Sequence, residues 1–237
     1  LERKRRSTVE AARHIAALLA RSRTLLWVCV GGAAQLVVVS ALWSWLPSFL
    51  NRVHGLDAQA AASRAALVVL AGAAGSVAWG VVVDRAGRRQ PRRRLAVLAV
   101  LCLLAMAVLA LAFGTATPPQ TQFLLIALGG FVATCSVGPV SAIVIDVIHP
   151  GVRATGCSVL SLFQNLFGLA AGPFLAGVLS DAWGLVPALT AVPLFGLVAA
   201  GAFTLAARSY DADRARALEL PAAAAIEPPG LSPSRHG

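Results

Sequence analysis

Apolar residues in this chain arrive in six blocks, near 24–50, 62–83, 95–113, 122–146, 155–180 and 185–207, each carrying at most one charge. A hydrocarbon layer about 30 Å thick is crossed by about 20 residues of α-helix. Within that layer every backbone N–H and C=O has to find a partner inside the protein, which leaves only helices or a closed barrel. Barrel strands are shorter and alternate polar with apolar residues, and these blocks do neither. No amphipathic period of 3.6 dominates them either, as expected for helices that meet lipid or other helices all round. The expected fold class is therefore an all-α membrane protein with six transmembrane helices. The overall balance agrees, since 58% hydrophobic against 13% charged residues is too little charge to clothe a soluble domain of this length.

The formal net charge of +10 raises the question of nucleic acid, and the placement of the charge answers it. With six spans, both ends of the chain lie on one side. That side receives the segment before residue 24, the loop Arg85–Arg94, Arg153 and everything after residue 207, and so all of the 20 basic residues except Arg52 and Arg64. Such asymmetry is the positive-inside rule, and it puts both termini in the cytoplasm. No aromatic-interleaved basic patch of a nucleic-acid reader is present. Cys29, Cys102, Cys135 and Cys157 are isolated thiols within the spans, and His14, His54, His149 and His236 are scattered through loops and tails. Neither set has metal-ligand or catalytic spacing, so no enzyme, metal or cofactor is expected. Nineteen arginines against one lysine point to a GC-rich genome and a bacterial plasma membrane.

At the leading end the run Arg3-Lys4-Arg5-Arg6 precedes Ser7-Thr8-Val9-Glu10, a capping box opening a short helix. Residues 1–23 read as a cytoplasmic linker whose helix lies on the membrane surface, a solvated linker being the alternative. Residues 208–237, rich in Ala and Pro, read as a disordered cytoplasmic tail.

Between them, residues 24–207 contain an internal repeat. Residues 73–87 read AAGSVAWGVVVDRAG and residues 170–184 read AAGPFLAGVLSDAWG. Ala73/Ala170, Ala74/Ala171, Gly75/Gly172, Gly80/Gly177, Val81/Val178, Asp84/Asp181 and Gly87/Gly184 coincide at a constant offset of 97. The first copy ends the second span inside and the second ends the fifth span outside, so two inverted three-helix repeats follow, over about 24–113 and 122–207. Arg85, Arg88 and Arg89 become Ala182, Leu185 and Val186 in the second copy, the loss of charge that an outside loop requires.

The sharpest local pattern is Gly80-Val-Val-Val-Asp84-Arg85-Ala-Gly87-Arg88-Arg89. Gly80 admits a close helix neighbour and Gly87 a tight turn. Asp84 is suited to accept from free amides at a helix start or to pair with an arginine, and the arginines pin the loop inside. This pattern resembles the cytoplasmic loop motif G-x-x-x-D-R-x-G-R-R of the major facilitator superfamily, matching at every specified position. The resemblance, which covers about residues 1–207, implies one half of a twelve-helix transporter that moves a small solute by alternating access. The basic leading segment, the tail after the last span and the absence of an initiator Met favour the C-terminal half, with the N-terminal six-helix half and membrane lipid as partners. A non-transporting membrane subunit or an inactive half is the alternative.

The resemblance further implies gating by Gly80, Asp84, Arg85, Gly87, Arg88 and Arg89 together with Asp146 and Arg153. Arg88 with Asp146 is the expected ion pair, and Asp84 is expected to dock onto the other half. Asp146 paired with Arg153, or lying in headgroup water, is the alternative. By the same resemblance spans one, two, four and five face a central cavity while three and six lie outside, and the polar residues fall in the first, fourth and fifth spans. Gln35, Gln164 and Asn165 near mid-bilayer are the candidate substrate-binding residues, with interhelical hydrogen bonding as the alternative for buried amides. Trp43, Trp45 and Trp79 read as interfacial anchors or cavity lining. Pro47, Pro139, Pro173 and Pro193 are expected to kink their helices.

Overall fold

A computed structural model describes residues 22–219. The surface helix expected before residue 24 and the tail beyond Glu219 lie outside the described residues. Among those residues every regular element is helical, and six spans are long and apolar enough to cross a membrane. The first three are single helices, α1 (Arg23–His54), α2 (Ala58–Gly87) and α3 (Arg93–Gly114). The fourth consists of α4 (Pro119–Ala133), a 3-10 turn at Thr134–Ser136 and α5 (Pro139–Val147). The fifth joins α6 (Arg153–Phe163) to α7 (Ala171–Trp183) through a π-helix, Gln164–Leu169. The sixth runs from α8 (Leu185–Ala191) through a 3-10 turn, Val192–Leu194, into α9 (Phe195–Glu219).

The ends of these helices follow local chemistry. Ser22 and Asp57 cap α1 and α2, accepting from the N–H groups of Leu25 at 3.2 Å and Ala60 at 2.8 Å. Gly55 takes φ 67° and donates its N–H to the Asn51 carbonyl at 3.1 Å, closing α1 as a side chain would not allow. Three of the four prolines adjoin breaks, at the fourth, fifth and sixth spans. Pro47 instead sits inside a continuous α1.

The major packing pairs are span one with spans six and five, span four with spans three and two, and span three with span six. Exchanging one with four, two with five and three with six maps this set onto itself, as two inverted three-helix units require. The match reaches individual atoms. Gly172 lies so close to the Val37 carbonyl and Ser40 that a side chain would collide with both, and Gly75 stands in the same relation to the Phe131 carbonyl and Thr134. Ser40 Oγ lies 3.3 Å from the Val37 carbonyl and 3.1 Å from that of Gly168. Thr134 Oγ1 lies 3.1 Å from the Phe131 carbonyl and 2.8 Å from that of Gly72. Each hydroxyl has one proton and shares it between its own helix and its neighbour. The abutting glycines are 97 residues apart, but the accepting glycines, Gly72 and Gly168, are 96 apart. The extra residue of the second unit falls where the π-helix ends, and a π-turn is how a helix absorbs one added residue.

Two expectations are corrected. Nothing approaches the place where a Gly80 side chain would be, so within this bundle Gly80 faces open space and Gly72 and Gly75 make the close contact. The disordered tail does not begin at residue 208, because α9 continues to Glu219. Asp213 holds that extension down. It is 3% exposed, and its Oδ2 accepts from the Thr24 N–H at 2.8 Å and from the Ser22 hydroxyl at 3.3 Å. Its Oδ1 takes an Arg216 N–H at 3.0 Å, and the hydroxyls of Thr24 and Ser209 meet at 2.9 Å. A carboxylate from the last span thus satisfies a free amide at the start of the first.

Candidate functional site

Charged side chains gather at the end of the bundle that carries the Arg85–Arg94 loop. Asp146 stands in the last turn of α5 and Arg94 in the first turn of α3, each against the sign its helix dipole prefers. Placed together they compensate one another: Arg94 Nη1 donates to Asp146 Oδ2 at 2.8 Å. The Tyr210 hydroxyl, from α9, donates to the same oxygen at 3.0 Å. Arg94 Nε points toward Asp84 Oδ1 at 3.7 Å, a looser ion pair. The side chains of Arg94 and Asp146 are 20% and 35% exposed, so this pair is partly shielded, whereas that of Asp84 is 60% exposed.

Gly87 makes the arrangement possible. A side chain there would run into the shaft of Arg94, so the glycine of the loop motif is the gap through which Arg94 reaches across from the third span. The expected pair of Arg88 with Asp146 is therefore corrected. Arg88 caps the C-terminal end of α2 with its side chain exposed, and Arg94, lying over Gly87, takes the carboxylate instead. Arg85, Arg89 and Arg153 are also exposed, and none forms an ion pair among the described residues. Arg94 and Tyr210 escaped the sequence reading because one lies beyond the motif and the other in the supposed tail. The chain's single tyrosine, three residues past the last apolar block, was the available signal.

The mid-membrane amides separate. Gln35 is 1% exposed and donates from Nε2 to the Ala133 carbonyl at 2.9 Å, the last carbonyl before the fourth span breaks. Its assignment as a substrate-binding residue gives way to the interhelical alternative, because burial and this bond commit it to holding the break. Gln164, at the start of the π-helix, is half-buried across Gly32 of α1. Asn165 is exposed and ties its amide to the Ser161 carbonyl at 2.8 Å, leaving its oxygen outward. Ser158, Ser161 and Asn165 recur at helical spacing and are all exposed, so one face of the fifth span carries a polar strip. Trp45 and Trp79 are neither free anchors nor free lining: their N–H groups donate to the carbonyls of Pro173 at 3.0 Å and Phe131 at 3.1 Å.

A family model described as the Major Facilitator Superfamily matches residues 2–170. An MFS-type efflux pump of Mycolicibacterium smegmatis is 29% identical over 164 residues, 69% of this chain and 38% of that protein. Among solved structures, a bacterial homologue of the human lysosomal transporter Spinster shares the fold. Its inward-facing, unoccupied form gives a TM-score of 0.75 at 23% identity over 87% of this chain and 51% of that one. Its occupied form gives 0.74 at 24% over 83% and 51%. The chain spans about half the length of those structures and less than two fifths of the pump. On the family match, which takes in most of its residues, the chain belongs to the Major Facilitator Superfamily.

Proposed function

We propose that this chain is one six-helix half, the C-terminal one, of a transporter that carries a small solute across a bacterial plasma membrane by alternating access. The observation that carries the reading is the polar strip Ser158–Ser161–Asn165 on an exposed face of the fifth span. Polar groups turned toward lipid are unfavourable, and in a membrane protein they mark a water-filled path or a protein partner. The strip runs into the π-helix, where the second unit carries one residue more than the first, and π-turns concentrate at functional sites. Gln164 and Asn165 are the residues assigned to solute recognition. The N-terminal half of the same transporter covers the exposed faces of spans two and five, and both termini lie in the cytoplasm, where the arginines are held.

In this reading the Asp84–Arg94–Asp146–Tyr210 cluster is the gate. It binds the basic ends of spans two, three, four and six into one plate, which presents Asp84 and the arginines of the motif loop to the other half. Water-soluble maleimide labelling tests the path. In a chain carrying Cys157→Ala, Ser158→Cys, Ser161→Cys and Asn165→Cys are expected to react about ten-fold faster than the lipid-facing control Leu197→Cys, because a thiol in hydrocarbon does not ionise. Equal rates at strip and control would remove the solute path from this face.

A second reading is a membrane subunit that does not transport. Cross-linking in native membranes separates the two: a strict monomer cannot seal a path with half a cavity.

A further inference from the structure

We infer that the outer face of spans one and six, at the basic end, is a binding site for one anionic phospholipid. A cleft of about 790 Å³ opens there between the start of α1 and the extension of α9. Arg23 contributes from the first span, Arg208 and Arg216 from the last. One carboxylate, Asp213, lies in the wall, but it is buried and already occupied by the Thr24 N–H and by Arg216. Arg23 and Arg208 form no ion pair among the described residues. The cleft therefore keeps an excess of guanidinium groups, the donors best matched to a phosphate diester.

An anion alone would leave unexplained what lies below the arginines. On α1, Arg23 is followed at helical spacing by Trp27 and Val30, each 37% exposed. Along α9, Arg208 is preceded at the same spacing by Thr204, Gly201 and Leu197, all exposed. The Thr204 hydroxyl is spent on the Ala200 carbonyl at 2.8 Å, and no atom stands within 4 Å of where a Gly201 side chain would begin. Two apolar tracks with a furrow at Gly201 thus descend from a basic mouth, with a tryptophan at the level of the headgroups. That is the profile of a phospholipid, charged at one end with acyl chains below, and basic pockets between spans are where such headgroups bind. None of the residues lining the cleft belongs to the polar strip, and the inference rests on the membrane-spanning fold and not on transport.

The test is native mass spectrometry of the full chain in neutral detergent, titrated with phosphatidylglycerol, phosphatidylcholine or inorganic phosphate. Phosphatidylglycerol is expected to bind at one site and phosphatidylcholine far more weakly. Arg23→Gln with Arg208→Gln, neither of which breaks an ion pair among the described residues, should weaken phosphatidylglycerol about thirty-fold. The charge-matched control Arg89→Gln with Arg93→Gln should leave it unchanged. Gly201→Leu fills the furrow without touching a charge, and should weaken the lipid about four-fold while leaving inorganic phosphate unaffected. Circular dichroism confirms that each variant is folded. Wild-type affinity in the Arg23/Arg208 variant, an equal loss in the control, or inorganic phosphate displacing the lipid with Gly201→Leu without effect would each overturn the site.

Discussion

At the scale of single residues the basic end turns on one absent side chain. Gly87 leaves the gap that Arg94 fills, and Arg94 then compensates Asp146 at the mouth of a helix where a carboxylate is otherwise unfavourable. Arg94→Gln should lower stability by about 1.5–3 kcal/mol, the usual range for a charged hydrogen bond, whereas Arg88→Gln should stay within about 0.5 kcal/mol, as an exposed side chain does. Thermal or denaturant unfolding of both variants in the same detergent checks the contrast; a larger loss for Arg88 would reinstate the pair expected from the loop motif. The motif itself was legible because its spacing is written in consecutive residues. Its partner was not, since choosing Arg94 over Arg88 depends on which arginine lies above a glycine in space, and nothing in the local sequence encodes that layer.

At the scale of elements the same division holds. The spans could be read from the length of apolar runs, because lipid solvates a whole helix and constrains its composition along all of it. Their ends could not, since helices continue beyond the hydrocarbon wherever a cap or a tertiary partner takes up the free amides, as Asp213 does for the start of α1. Gln35 was misread for a related reason: a buried amide and an exposed one look alike until the helix turns are placed, and only Asn165 keeps its face open. The π-helix was hidden as well, although the shift from 96 to 97 residues between equivalent glycines contains it. That shift yields a prediction about the element. Deleting Leu169 should convert the π-turn to α-helix and preserve the Ser40–Gly168 and Gly172 contacts, leaving the unfolding midpoint within about 4 °C of the parent, a change worth less than about 1 kcal/mol. Deleting Ala74 from the matching stretch of α2, where no surplus residue exists, should rotate Gly75 away from Phe131 and prevent folding. If both deletions are equally damaging, the π-turn is not a one-residue surplus.

At the scale of the molecule, the first span is the most buried of the six and the second and fifth are the least. Under the proposed reading the spans left open are those that a second half covers, and the charged cluster joins four spans at the basic end. Loosening the cluster should therefore change access and not only stability. Asp146→Asn, in the Asn165→Cys background, should raise labelling from the basic side about five-fold, as expected if about 1 kcal/mol is removed from the closed state. Inverted and right-side-out vesicles with an impermeant maleimide distinguish the two sides, and an unchanged pattern would separate the cluster from gating.

The bond between Asp213 and the Thr24 amide also bears on how such units multiply. It brings the first turn of the first span and the last turns of the sixth side by side at the membrane surface, so the bundle enters and leaves the bilayer at one spot. A gene encoding such a unit can be duplicated in tandem with only a modest connector, because each new copy starts where the previous one stops. Joined in either order, two of them would place their connector at the same corner.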